Sequence, residues 1–150
     1  MFLTLVLAGC GFPSTAQAPS AQAEQRWCNR TSEPHYAYVV VQHTSGVEMK
    51  TCVNFTPSFI NGVDALSRSG IEFETQPVGT GTVVCQIDRE PANTGDCGAQ
   101  LRGGWHTYMT SGGSWRQVGT DLTAIRLYDA QAIAWRYVPT GFAPSPPPHL

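Results

Sequence analysis

The chain reads as an α+β domain in which a mixed sheet packs one face on a single helix, and three observations predict it. A hairpin signature comes first, one well-capped helical segment follows, and a run of short alternating segments completes the chain. Glycine and proline, 15 and 11 of 150 residues, together with 10% aromatic content, favour short strands and turns over a helical bundle. The length is that of one domain, with a folded part of about 110 residues once both ends are set aside.

Residues 35–43 (HYAYVVVQH) are dense in β-branched and aromatic side chains, and residues 47–55 place Val47, Met49, Thr51, Val53 and Phe55 on one face. Thr44-Ser45-Gly46 between them is turn chemistry, so the two segments form a hairpin. Asn61 is suited to cap a helix, with Asp64 where a capping carboxylate reaches back. Val63 and Leu66 supply its apolar stripe, and Gly70 its left-handed end. Residues 71–76 and 82–88 alternate on either side of a Gly79-Thr80-Gly81 turn, and residues 105–110, 115–118 and 131–138 are three further strands. Hairpin, helix and strands in this order make a β-grasp arrangement, with a core drawn from Val63, Leu66 and the inward halves of 39–41, 53–55 and 83–87.

The two ends differ in composition from this domain. Residues 1–8 are almost unbroken apolar sequence, and Leu7-Ala8-Gly9-Cys10 resembles the lipobox of bacterial lipoproteins, in which the leader (1–9) is removed and the cysteine is lipidated. The run is too short to span a bilayer, so the resemblance implies membrane attachment through lipid on Cys10 and an extracytoplasmic location. Residues 10–25, rich in Pro, Ala, Ser and Gln, read as a flexible tether ahead of the domain at 26–138. Residues 139–150, with Pro144, Pro146, Pro147 and Pro148, read as a disordered extension. With Cys10 set apart, Cys28, Cys52, Cys85 and Cys97 form an even set that reads as two disulfides. Three pairings are open; Cys28 with Cys52 and Cys85 with Cys97 are favoured because each pair is close in sequence and flanks strand ends.

A broader resemblance rests on the order of short motifs. Asn61-Gly62-Val63-Asp64-Ala65-Leu66 followed by Gly70, then VVCQID at 83–88, Trp105 with Tyr108, Trp115, and Asp129 leading to Trp135-Arg136-Tyr137 are similar to the transcobalamin C-terminal-like domain of bacterial surface proteins. The resemblance covers residues 36–138 and implies a β-grasp fold and a corrinoid such as cobalamin as a possible ligand. It also implies a lid-like role, since in the vitamin B12 carriers a separate helical barrel supplies much of the ligand contact. Two turns depart from the pattern: Arg89 stands where the family has glycine, and Tyr128-Asp129-Ala130 replaces a Gly-Asp turn, so their geometry is expected to differ.

A formal charge of −2 with only 13% charged residues offers no basic stripe for nucleic acid. No G-x-S-x-G elbow, phosphate loop, dinucleotide fingerprint, H-E-x-x-H or C-x-x-C motif occurs, so neither catalytic machinery nor a metal site is expected. His106, between Trp105 and Thr107, is expected to be structural rather than a ligand. The most suggestive constellation is aromatic: Trp105, Tyr108, Trp115, Trp135 and Tyr137 suit a flat ligand, or a protein or cell-wall polymer met through an adhesive patch. Alternation places Trp105 and Tyr108 on opposite faces of one strand. Convergence of Trp105, Trp115 and Trp135 on one exposed concave surface is therefore what separates a ligand platform from ordinary packing.

Overall fold

The computed structural model describes residue 28 and residues 32–147, apart from 96, 98–102 and 112. The leader, Cys10 and the tether lie outside the described residues. β1 (His35–Gln42) and β2 (Glu48–Phe55) form the expected hairpin, paired from His35 with Phe55 to Gln42 with Glu48. β3 (Phe59–Ile60) leads into α1 (Gly62–Ser69); β4 (Phe73–Val78) and β5 (Gly81–Ile87) follow. β6 (Gly103–Ser111), β7 (Ser114–Gln117), β8 (Leu127–Tyr128) and β9 (Ala132–Pro139) complete the chain.

Five strands make the main sheet in the order β2-β1-β9-β6-β7. β9 runs parallel to β1, from Tyr38 beside Ala132 to Gln42 beside Arg136, and antiparallel to β6. Parallel neighbours cannot be joined by a tight turn, so everything from β2 to β8 lies within this one crossover. The α+β class and, among the described residues, the mixed sheet on a single helix agree with the expectation.

The helix forms for the local reasons its sequence offers. Asn61 Oδ1 accepts from the Asp64 amide at 2.9 Å while its side-chain amide donates to Asp64 Oδ2 at 3.0 Å, and Gly70 closes the helix at φ 72°. Ala65 and Leu66 are buried against Val39, Val41, Val53 and Phe55, and on the same sheet face Ile133 and Trp135 are fully buried. Val63 and Met49 pack at the margin of this core, and Val47 is exposed because it belongs to the hairpin turn, where its carbonyl accepts from His43 N.

The structure departs from the expected core at β5. Of residues 83–87 only Ile87 is fully buried, because β4 and β5 pair with each other in a separate two-stranded sheet. The polar run Glu74-Thr75-Gln76 leaves β4 with little to bury, and Pro77 supplies no amide donor. The apolar residues missing from β5 are replaced by Leu122 and Ile125 from the segment between β7 and β8 and by Leu127 of β8. Both cysteine pairs are bridged as favoured, Cys28–Cys52 with Cα atoms 5.2 Å apart and Cys85–Cys97 at 5.1 Å.

The turns at residues 87–90 and 128–131 hold three side-chain-bearing residues in the left-handed region. Asp88 (φ 45°) and Arg89 (φ 63°) form the tight turn from Ile87 to Glu90, and Ala130 (φ 60°) sits in the turn before β9. An L side chain there costs about 1–2 kcal/mol that glycine avoids. Arg89 is 82% exposed and its ion pair with Glu72, at 3.5 Å, contributes little. Arg89→Gly and Ala130→Gly should therefore each raise unfolding free energy by about 0.5–1 kcal/mol in urea denaturation. Leu66→Ala, at the fully buried centre of the helix contact, should lower it by about 2–5 kcal/mol.

Candidate functional site

A cleft of about 270 Å³ opens where the β4–β5 hairpin leaves the end of the main sheet. Val83, Val84 and the Cys85–Cys97 disulfide form one wall, Trp105 and Tyr137 form the facing surface, and Pro91 closes one side. Trp105 and Tyr137 are cross-strand partners on β6 and β9, and their rings meet edge to face with centroids 5.3 Å apart. Burial and the nearby Glu90 charge push the Tyr137 hydroxyl above its usual pKa, so it faces the cleft as a neutral phenol. A Cβ at Gly103, φ 103°, would overlap the Val138 carbonyl, so only glycine permits β6 and β9 to approach this closely beside the cleft.

A polar network backs the tryptophan. Trp105 Nε1 donates to the Glu90 carbonyl at 3.0 Å, and His43 Nδ1 donates to Glu90 Oε2 at 2.7 Å. His43 also meets the Trp105 ring edge to face, with its Nε2 3.5 Å from Asp88 Oδ2. The tight turn of residues 87–90 thereby fixes both Pro91 and the indole that forms the cleft surface.

On the other side, Asp121 holds the hairpin. Its Oδ1 accepts from the Thr123 hydroxyl at 2.7 Å and from the Thr82 amide at 3.0 Å, while Leu122 N donates to Thr82 O at 2.8 Å. Gly81 allows this approach, since a Cβ there would lie 2.6 Å from the Asp121 carboxyl carbon.

The five expected aromatic residues do not converge, so the exposed aromatic platform expected for a flat ligand is not formed, and any ligand reading rests on the cleft alone. Trp135 is fully buried in the core beneath the helix. Tyr108 and Trp115 lie on the opposite sheet face, where Tyr108 packs with Val40 and Ala134. The alternation of β6 and β9 enforces this division, and only Trp105 and Tyr137 reach the cleft. His106 is also on the far face, its Nδ1 3.1 Å from Gln117 Nε2, and burial lowers its pKa. Of the cleft walls, Val83, Val84 and Pro91 carry no motif that marks them as site residues, whereas Cys85 and Cys97 are the expected disulfide partners. The short Cys85 to Cys97 spacing is the one sequence signal that ties the loop to β5.

Among the described residues no group of three or more His, Cys, Asp or Glu side chains stands together as a metal site, and no helix is long and apolar enough to cross a membrane. The two disulfides are compatible with an extracytoplasmic location. No protein-family model matches the chain. No curated protein matches it either. Among solved structures, the chain is similar to a protein from Ruminococcus gnavus ATCC 29149 described as a "putative metal binding protein". The TM-score is 0.52 at 18% identity, over 72% of this chain and 99% of that one. At this identity the likeness is one of fold.

The hydrogen bonds from Thr123 and from the Thr82 amide hold the Asp121 carboxyl below the usual carboxylate pKa. A depressed folded pKa gives stability that is present above about pH 4, the unfolded value, and is lost as pH falls through the folded one. The urea midpoint should therefore drop between pH 5 and pH 2, and Asp121→Ala should flatten part of that drop. An identical acid profile in the variant would remove Asp121 from the account.

Proposed function

We propose that this protein is an exported, lipid-anchored binding module with a β-grasp domain related to the transcobalamin C-terminal-like family. Its cleft takes a small apolar group or the edge of a larger flat ligand. The observation that carries the binding reading is the cleft itself, with two aromatic rings facing an apolar, disulfide-braced wall. The topology supports the β-grasp assignment: a hairpin, a helix, and a late strand returning parallel to β1 at the centre of the sheet. At about 270 Å³ the space is below the range of about 300–1,000 Å³ common for whole drug-sized ligands. A corrinoid would therefore insert one edge and leave most of its ring to a second component, in keeping with a lid. The description of the Ruminococcus gnavus protein adds binding as a class and names no ligand for this chain.

The alternative, an adhesive module meeting another polypeptide, is favoured by one specific observation: Trp115 is half-buried on the face opposite the cleft, beside Tyr108.

Cobinamide, cobalamin and haem titrated into the Cys10→Ser protein lacking its leader test the cleft reading, with tryptophan quenching corrected for inner-filter absorption. Saturable quenching at micromolar ligand, lost when Val83→Trp fills the cleft, is expected for at least one of them; saturation by none would contradict it. The anchor has its own test. In a bacterial host the wild-type chain should incorporate labelled palmitate and sediment with membranes, and Cys10→Ser should do neither.

A further inference from the structure

The sheet face opposite α1 carries a second arrangement that the cleft does not use. On it Val40, Ala134 and Tyr108 are buried together, with Trp115 half-buried at their margin. Arg136, next to Ala134 along β9 and opposite His106 on β6, projects from the same face. Its Nη1 donates to the Ser145 carbonyl at 3.1 Å, the Ser145 hydroxyl at 2.6 Å and the Pro146 carbonyl at 3.0 Å. Pro147, the next residue, is buried. The Tyr108 hydroxyl on the same face is buried and has no hydrogen-bond partner among the described residues.

These groups match the chemistry of a proline-rich chain. Proline has no amide hydrogen, so a Pro-Ser-Pro-Pro segment cannot add to a sheet edge as a strand. What it offers a partner is carbonyl oxygens and ring faces. A guanidinium meeting successive carbonyls beside aromatic rings answers both, as in grooves that recognise extended polyproline segments. We propose that this face is a recognition surface for extended proline-rich segments, with residues 144–147 as its occupant in cis and a proline-rich segment of another polypeptide as its partner in trans. The inference stands on Arg136 and the far face and does not rest on the cleft reading.

Ser145 follows the end of β9 at Pro139 by only a few residues, so the resident segment is presented at an effective concentration on the order of 1 mM. Against a peptide affinity of about 0.1 mM, that competition weakens binding in trans about tenfold. The test is calorimetric titration of a peptide with the sequence of residues 141–150 into the full chain and into a variant with Pro144, Pro146 and Pro147 replaced by glycine. The glycine variant should bind about tenfold more tightly, and adding Arg136→Ala should abolish binding. No saturation by the glycine variant with its circular dichroism unchanged, or binding indifferent to Arg136→Ala, would overturn the proposal. Should the glycine variant fail to fold, Arg136→Ala in the otherwise wild-type chain decides. The heteronuclear NOE of the Ser145 amide should fall sharply while β1 and β9 amides keep theirs, and an unchanged Ser145 value would refute the attachment.

Discussion

The pairing of β9 with β1 is the constraint on which the rest depends. These strands lie almost a hundred residues apart in the chain, yet Val39 and Val41 stand directly beside Ile133 and Trp135 and make the floor on which the helix sits. Because the pairing is parallel, the intervening chain must cross from one end of the sheet to the other. It fills that crossover with α1, the β4–β5 hairpin and the segment carrying Leu122, Ile125 and Leu127. The junction at the start of β1 is closed by short bonds: Tyr36 N to Asp129 Oδ1 at 3.0 Å, Ala130 N to Tyr36 O at 2.8 Å, and Tyr38 N to Gln131 O at 2.9 Å. Ala130 takes its left-handed backbone within this junction.

From that pairing the position of the cleft follows. The core face of the central sheet has room for one short helix and the Leu122–Leu127 segment, so the β4–β5 hairpin, poor in apolar residues, is displaced to the end of the sheet. There it encloses space instead of filling it. Asp121 ties one side of the hairpin, the Cys85–Cys97 bridge the other, and the turn of residues 87–90 links both to the indole of Trp105. The cleft is thus bounded by covalent and hydrogen-bonded attachments on three sides, which suits a preformed binding site.

Much of this was legible where the determinants are local. The β1–β2 turn, the Asn61 cap, the Gly70 terminus and the Gly79-Thr80 turn are each written in a few adjacent residues and form as read. Other features depend on partners distant in the chain. β3 and β8 are two residues long and exist only through each other, so neither has a pattern to detect. Residues 83–87 alternate like a core strand, but which strand they pair with decides whether Val83 and Val84 meet the helix or line a cleft. The aromatic residues were correctly divided between faces by alternation at Trp105 and Tyr108, but the sequence could not show which face the helix would cover. Arg136 gave no signal, because its bonds to Ser145 and Pro146 are made by a segment whose composition reads as disordered.

Two recognition surfaces are proposed on opposite faces of one sheet: a cleft facing Trp105 and Tyr137, and a proline-bearing face around Arg136. Mapping amide chemical-shift changes during a titration with cobinamide, in the Cys10→Ser protein, tests that division most directly. The account predicts shifts confined to β5, Pro91-flanking residues, Trp105 and Tyr137, with Tyr108, Trp115 and Ser145 unmoved. Shifts centred on Tyr108 and Trp115, with β5 silent, would contradict it.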